Sequence, residues 1–202
     1  MKYGLAALIV AATALVVVAQ PGKPGERPAR STAEGGAKVE DRVAAGKKGF
    51  VEVVKVLQSP RCMNCHPAGD RPLQGDDNHI HAQNISRATL AAGVPCTTCH
   101  QAHNADAIGI DHGPPGAPGW NLPPVDMPMV FQGKTATQIC EQMKDPKQNN
   151  GKNLAQLLEH ASADPIVLWG WAPGKGRTLP PMSHDAFVAA FKAWVDSGGA
   201  CP

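Results

Sequence analysis

The motif C-x-x-C-H occurs twice in this sequence, at residues 62–66 and at residues 96–100. This motif is the covalent attachment site of c-type haem. Its two thiols add to the vinyl groups of the porphyrin, and the histidine that follows ligates the iron from the proximal side. The sequence therefore predicts two covalently bound haem c groups, attached through Cys62, Cys65, Cys96 and Cys99 and ligated by His66 and His100.

Two C-x-x-C pairs could instead bind one tetrahedral zinc ion. The gap between Cys65 and Cys96 is longer than is usual in zinc ribbons, and zinc does not require a histidine directly after each pair. A thioredoxin-like site would need a single C-x-x-C in a strand-then-helix setting, which neither motif has. We favour haem, with a zinc-stabilised binding module as the alternative.

The second axial ligand of each iron must come from elsewhere in the chain, which has 8 His. In an extended segment residues i and i+2 point the same way, so one ligand from His79-Ile80-His81 is easier to build than two. We expect His81 to be a distal ligand, with His79 as the runner-up. His160 flanks the apolar face of its predicted helix and is the candidate for the other iron. Which ligand serves which haem stays open.

Methionine is the other option for a distal ligand, and it raises the reduction potential of the iron relative to histidine. Met182 and Met127 are the methionines that would then enter the ligand set.

The beginning of the chain predicts export. Lys2 precedes an unbroken apolar or small run through residue 19, which is typical of a signal peptide at residues 1–19. Residues 20–38 are rich in Pro, Gly and charge and are predicted to form a flexible linker before a domain at residues 39–202. The run is short for a bilayer span of about 20 residues, so we expect a periplasmic protein without a transmembrane span, or a membrane-anchored one if the segment is uncleaved.

Of the 6 Cys, the two haem motifs use all but Cys140 and Cys201. Disulfides persist in exported proteins, so these two are predicted to form a bridge. Two separate buried thiols are the alternative.

Composition and charge narrow the function further. Aromatic residues make up only 4% of the chain, whereas it contains 21 Gly and 19 Pro, so two porphyrins would supply apolar bulk that the side chains lack. The formal net charge is only +2 and the basic residues are scattered among acidic ones, which argues against nucleic-acid binding.

The apolar periodicity predicts a mainly α fold. Helices are predicted at residues 39–58, 135–143, 153–161 and 183–197, with a shorter one at 85–92. Residues 109–128 form a long Pro/Gly-rich loop, and no alternating run is long enough for a sheet. The expected architecture is a small helical dihaem cytochrome c domain whose long Pro/Gly-rich loops wrap the haems.

Residues 62–202 resemble a family of exported bacterial dihaem c-type cytochromes. The features that carry the resemblance are the two haem motifs, Gly69-Asp70-Arg71-Pro72-Leu73-Gln74-Gly75, Asp145-Pro146-Lys147-Gln148-Asn149, Trp169-Gly170-Trp171 and the terminal Cys201-Pro202.

Residues 178–200 are similar to the C-terminal segment of class I-like bacterial cytochromes c, in which a Met-Pro-Pro methionine ligates iron. Here Leu179 stands in its place and Met182 comes three residues later, a departure that favours histidine at both irons.

The resemblance implies an electron carrier that exchanges electrons with redox proteins. Such partners include a periplasmic dehydrogenase or molybdenum hydroxylase, another cytochrome and a downstream acceptor. The alternative is a dihaem enzyme such as a peroxidase, which needs one open iron position with acid–base groups beside it. The chain is shorter than such peroxidases usually are, so electron transfer is the favoured interpretation.

Overall fold

The computed structural model describes residues 32–110 and 112–202, with side chains from residue 35 onward. The predicted signal peptide and most of the predicted linker lie outside the described residues. Ala33–Pro202 form one compact unit, which is mainly α-helical with almost no sheet. This confirms that the fold is mainly α, as predicted.

The described residues contain seven α-helices and one pair of short strands. The helices are α1 (Thr32–Leu57), α2 (Pro60–Met63), α3 (Arg87–Ala91), α4 (Ala136–Lys144), α5 (Leu154–Ala163), α6 (Pro165–Leu168) and α7 (His184–Asp196). The antiparallel strands are β1 (Leu73–Gln74) and β2 (His79–Ile80), with Leu73 opposite Ile80. Three short 3-10 turns lie at Cys96–Thr98, Ala105–Ile108 and Trp169–Trp171.

Side-chain caps explain where three of the predicted helices begin. The side chains of Thr135, Asn153 and Ser183 accept hydrogen bonds from backbone N–H groups in the first turns of α4, α5 and α7. Each cap satisfies a donor that has no partner inside its helix. These three helices are therefore confirmed, with ends that differ by no more than two residues from the predicted ones.

Helix α1 is longer than its apolar pattern predicts. It begins at Thr32, so residues 32–38, which we placed in the flexible linker, are helical. Those residues contain no proline, and extending a helix that is already nucleated costs far less than starting one. The linker prediction is thus corrected at its C-terminal end.

The core forms where α1, α4, α5 and α7 meet. Phe50 of α1 packs against Trp194 of α7, with ring centroids 4.8 Å apart, and both side chains are fully buried. Gly46 and Gly49 let α1 approach α7 closely, because a Cβ at Gly49 would lie 2.7 Å from the carbonyl oxygen of Ala190. Two glycines thus bring the first and last helices into contact.

A disulfide joins Cys140 in α4 to Cys201, with an S–S distance of 2.04 Å. This is the pairing expected from the sequence, and it connects the chain end to the helical core. Among the described residues, no helix combines the length and the apolar character that crossing a membrane requires.

Candidate functional site

The first C-x-x-C-H motif lies on a tight turn that directly follows α1. Pro60 occupies the first turn of α2, and the backbone N–H of Cys65 donates to the carbonyl of Cys62 at 3.2 Å. The N–H of His66 likewise donates to the carbonyl of Met63 at 3.0 Å. These short-range hydrogen bonds hold both thiols and the histidine on one turn, as attachment to a single porphyrin requires.

The imidazole of His66 has a defined tautomer and ring plane. Its Nδ1 donates to the backbone carbonyl of Met129 at 2.7 Å, and its ring stacks on Phe131 with centroids 4.1 Å apart. A carbonyl oxygen only accepts hydrogen bonds, so Nδ1 carries the proton and Nε2 keeps its lone pair. Burial lowers the pKa of His66 to about 4, which leaves the ring neutral at physiological pH. Nε2 is therefore a competent metal ligand.

The carbonyl that accepts this bond comes from a strained residue. Met129 has a φ of 44°, in the left-handed region that side-chain-bearing residues avoid at a cost of roughly 1–2 kcal/mol. Buried Gln142 donates to Met129 Sδ at 3.1 Å and to the carbonyl of Val130 at 3.0 Å. These contacts fix a backbone conformation that presents the Met129 carbonyl to His66. Backbone strain of this kind concentrates at functional sites.

The second motif repeats this arrangement in a different setting. Pro95 precedes the 3-10 turn at Cys96–Thr98, and the N–H of His100 donates to the carbonyl of Cys96 at 2.9 Å. His100 Nδ1 donates to the carbonyl of Pro115 at 2.7 Å, and its ring lies parallel to Trp120 with centroids 4.7 Å apart. Burial lowers the pKa of His100 as well. Both motif histidines thus leave Nε2 for a metal and are backed by an aromatic ring.

None of the four motif cysteines forms a disulfide. Burial raises the pKa of Cys62 to about 12 and that of Cys65 to about 11, so both stay protonated at neutral pH. A protonated thiol is the form whose S–H adds across a vinyl double bond to give a thioether, a step that needs no oxidant.

A tetrahedral zinc site would bring four His, Cys, Asp or Glu side chains together around one ion. In the part of the chain that the structure describes, no group of three or more His, Cys, Asp or Glu side chains could hold a metal ion. A zinc ribbon needs four such ligands around one ion, whereas a haem iron takes only one or two from the protein.

A cavity of about 460 Å³ lies beside the first motif. Cys62 and His66 line it, and most of the rest of its wall is apolar, with Leu57, Leu122, Met127, Met129, Phe131, Met143, Leu157, Ile166, Val167, Trp171, Phe187 and Phe191. Cofactor pockets occupy about 300–1,000 Å³ and are predominantly apolar with a few polar groups. The residues present therefore fit a porphyrin attached at Cys62 and ligated by His66.

His160 lines the same cavity as His66. Its Nδ1 pairs with Asp164 Oδ2 at 2.9 Å, so Nε2 is the nitrogen that could bind a metal. The other oxygen of Asp164 accepts from the N–H of Ile166 at 3.0 Å and so begins α6. A carboxylate behind a histidine is the usual outer-shell partner of a metal-bound imidazole. The cavity thus brings the two candidate ligands of one iron together.

The methionines that could replace histidine are divided between two places. Met127 lines the cavity together with His160, so it shares access to the first site. Met182 packs against the hydrophobic core, and its carbonyl accepts from Trp171 Nε1 at 2.8 Å.

His81 lies opposite His100. Their ring centroids are 6.1 Å apart, with planes inclined at 62°. Two imidazoles on one metal would be separated by about 6 Å, from two metal–nitrogen bonds of about 2 Å and about 1 Å from each nitrogen to its ring centre. The backbone N–H of Gln83 donates to His81 Nδ1 at 3.4 Å, a long hydrogen bond. If Nδ1 carried the proton instead, this bond would be lost. His81 is thus held less firmly than His100.

His79 faces a different partner. Its Nδ1 pairs with Asp77 Oδ1 at 2.6 Å, and about half of its side chain is exposed. The two histidines of the predicted pair therefore have different surroundings, and His81 is the one whose ring contacts a motif histidine.

The sequence offered no indication of the residues that orient the motif histidines. A backbone carbonyl can come from any residue, and those of Met129 and Pro115 reach His66 and His100 across 63 and 15 residues. The aromatic rings behind the histidines are equally remote in sequence. Asp164 is the one partner that the sequence could have indicated. A carboxylate four residues after His160 lies on the same side of a helix.

Neither the family models nor the curated proteins nor the solved structures compared with this chain match it. The likeness to dihaem c-type cytochromes therefore rests on the motifs themselves and on the surroundings of their histidines.

Proposed function

We propose that this chain is a periplasmic dihaem c-type cytochrome that transfers electrons between redox proteins. The observation that carries the proposal is the matching environment of His66 and His100. Each donates Nδ1–H to a backbone carbonyl at 2.7 Å, and each stacks on an aromatic ring. Two unrelated stretches of chain therefore prepare two C-x-x-C-H histidines to bind a metal through Nε2, as axial ligands are prepared.

The cysteines, the histidines and the apolar wall of the cavity would each have a separate role. When bound, haem c supplies reversible one-electron chemistry between Fe(III) and Fe(II). Cys62, Cys65, Cys96 and Cys99 would hold the two haems covalently. His66 with His160, and His100 with His81, would bind the two irons through imidazole nitrogens. The apolar wall of the first cavity excludes water and lowers the local polarity, which tunes the reduction potential.

The two attachment sites are close enough to influence one another. Burial is the main cause of the raised pKa of Cys65, and the charge of Cys96 in the second motif is the next. Two haems attached at neighbouring sites would exchange electrons inside the molecule. Cys99 is exposed, so the second site is the one through which a partner protein would exchange electrons.

The partner class follows from the resemblance rather than from a contact. We propose that electrons come from a periplasmic dehydrogenase or hydroxylase, such as a molybdenum enzyme, and pass to a second cytochrome or other acceptor. Transfer would be outer-sphere, because no substrate has to reach either iron.

The first test is mass spectrometry and absorption spectroscopy of protein produced with a cytochrome c maturation system. We expect two covalent haems and low-spin spectra in both redox states, without the far-red band of methionine–iron ligation. His81→Ala and His160→Ala should each make one haem high-spin. His79→Ala and His184→Ala are the matched controls, since His79 pairs with Asp77 and His184 Nε2 bonds the carbonyl of Ala161. Protein that carries no covalent haem would refute the proposal.

A dihaem peroxidase is the second candidate, and the surroundings of His81 are what favour it. A distal histidine that is partly exposed and loosely held could leave an iron open to peroxide. A high-spin component in the wild-type protein together with peroxide turnover would support this enzyme, whereas fully low-spin protein without turnover supports the electron carrier.

A further inference from the structure

Two buried arginines flank the first site, and each has a nitrogen without a hydrogen-bond partner. Arg61 is 5% exposed and Arg87 is 7% exposed. Within the described residues, Arg61 Nε and Arg87 Nη2 are buried and unpaired. A buried donor on a charged group that lacks an acceptor costs about 1–3 kcal/mol or more. Both nitrogens therefore indicate an acceptor that the described residues do not provide.

Arg87 uses its other nitrogens on neutral acceptors. Nε donates to the carbonyl of Pro123 and Nη1 to that of Gly69, each at 2.9 Å. The Asp70 carboxylate is 4.0 Å from Nη1, beyond hydrogen-bond distance. The charge of Arg87 is thus only weakly compensated, although the side chain is buried.

Arg87 is also near the first site. Pro123, to which it is bonded, lines the cavity that contains His66. Arg87 is therefore bonded to the wall of this cavity, and its unpaired nitrogen is buried.

Arg61 lines the cavity directly and precedes Cys62 in the chain. It forms an ion pair with Asp76, and its guanidinium lies 5.8 Å from the Trp169 ring. The charge of Arg177 acts against that of Arg61, so a further anion beside Arg61 would relieve their repulsion. Arg61 Nε is a buried donor without a partner and could bond such an anion.

We propose that Arg61 and Arg87 bind the propionate carboxylates of the porphyrin at His66. This inference rests on the proposed function, because the propionates are the anionic groups that a haem would bring to the cavity. A guanidinium pairs with a carboxylate through short charge-assisted hydrogen bonds, and planar Arg suits such pairing better than Lys. Each arginine would gain the acceptor that its unpaired nitrogen lacks.

The test compares Arg87→Gln and Arg87→Lys with wild type in the haem-loaded protein. Redox titration and resonance Raman spectroscopy of the propionate bending modes are the readouts. We expect Arg87→Gln to lower one of the two midpoint potentials, because loss of a buried positive charge favours Fe(III), and to shift the propionate mode of that haem. Arg87→Lys should restore most of the potential, since the charge returns, but not the propionate mode. Arg71→Gln, an exposed arginine of the same segment, is the control and should change neither.

The outcomes separate the two proposals. Wild-type protein without covalent haem would refute the proposed function. Loaded Arg87→Gln protein with both potentials and both propionate modes unchanged would refute the arginine assignment alone. If Arg87→Gln fails to fold, Arg87→Lys decides: an unchanged propionate mode refutes the assignment and a shifted mode supports it. Arg61→Lys repeats the comparison at the other guanidinium.

Discussion

The two C-x-x-C-H sites have the same local chemistry but different surroundings. The first lies against the helical core, and its cavity is walled by side chains of α1, α4, α5 and α7, with Phe131 buried behind His66. The second is built from loops and short turns. Its segment leaves Ile80 56% exposed, Ile108 76% exposed and Val125 73% exposed, and Cys99 is exposed as well.

This difference indicates how each region obtains its apolar core. The first site shares residues with the core that holds α1 to α7, so a bound haem and the core would stabilise one another. The second region has few buried side chains of its own, and its exposed apolar residues would gain a partner from a bound porphyrin. Asn104 connects the two regions, because its side chain accepts from Trp169 Nε1 at 2.8 Å and donates to the carbonyl of Ala172 at 2.9 Å.

The largest difference is expected when each haem is removed in turn. Cys62→Ala/Cys65→Ala protein without its first haem would keep a cavity of about 460 Å³ in its core. At about 24 cal/mol per Å³ this costs at most roughly 11 kcal/mol, as much as the whole stability of a small domain. We expect cooperative thermal unfolding to be lost. Differential scanning calorimetry on protein of known haem content measures whether the thermal transition is still cooperative.

The matched variant is Cys96→Ala/Cys99→Ala. Loss of the second haem should loosen residues 80–125 while the helical core still unfolds cooperatively. Equal unfolding midpoints for the two double variants would show that the regions do not differ in this way.

Removing the disulfide tests the stability of the first region alone, because the bond joins α4 to the chain end. Closing a loop of 61 residues stabilises by about 4 kcal/mol on the chain-entropy model. We expect Cys140→Ala/Cys201→Ala to lose about that much free energy of unfolding, measured by urea titration. Wild-type protein in reductant is the control and should resemble the variant. A loss under 1 kcal/mol would contradict the prediction.

The approach of α1 to α7 is tested at Gly49. Gly49→Ala would place its Cβ 2.7 Å from the carbonyl oxygen of Ala190, and such overpacking costs about 1–3 kcal/mol. Gly36→Ala is the control on the same helix, where the added Cβ meets nothing within 4 Å. It should stabilise by about 0.5–1 kcal/mol, because alanine suits a helix interior better than glycine. Urea titrations that rank the two variants the other way would contradict this packing.

The smallest effect is expected at the aromatic ring behind His100. Trp120→Leu removes a stacking partner worth about 0.5–1.5 kcal/mol and also a contact with Trp169 at 4.7 Å. We expect faster hydrogen exchange in the second region, with the melting of the core unchanged. Trp120→Phe keeps an aromatic ring and should lie close to wild type. Loss of core stability in Trp120→Leu would mean that the two regions unfold together.

Features fixed by neighbouring residues could be predicted from the sequence. Thr135, Asn153 and Ser183 begin their helices because each side chain reaches a backbone N–H in the first turn that follows it. The pairing of Cys140 with Cys201 followed from the haem motifs using the other four cysteines. The beginning of α1 could not be predicted, because the helix begins at Thr32, before its apolar stripe does.

The orientation of the site could not be predicted in the same way. His79 and His81 are two residues apart, yet one pairs with Asp77 and the other faces His100, a choice made by the strand pair that ends between them. His160 was a candidate because of its helix face, but its place in the cavity with His66 depends on how α5 packs against the rest of the core.

The sequence by itself determined which residues could attach and ligate two haems, because thiol spacing and the adjacent histidine are local chemistry. Only the tertiary structure decided which carbonyl orients each motif histidine, which distant histidine faces it and where the buried arginines lie. Those relations join residues as far apart as His66 and Met129. They arise when helices pack and loops close, and no short stretch of sequence contains both partners.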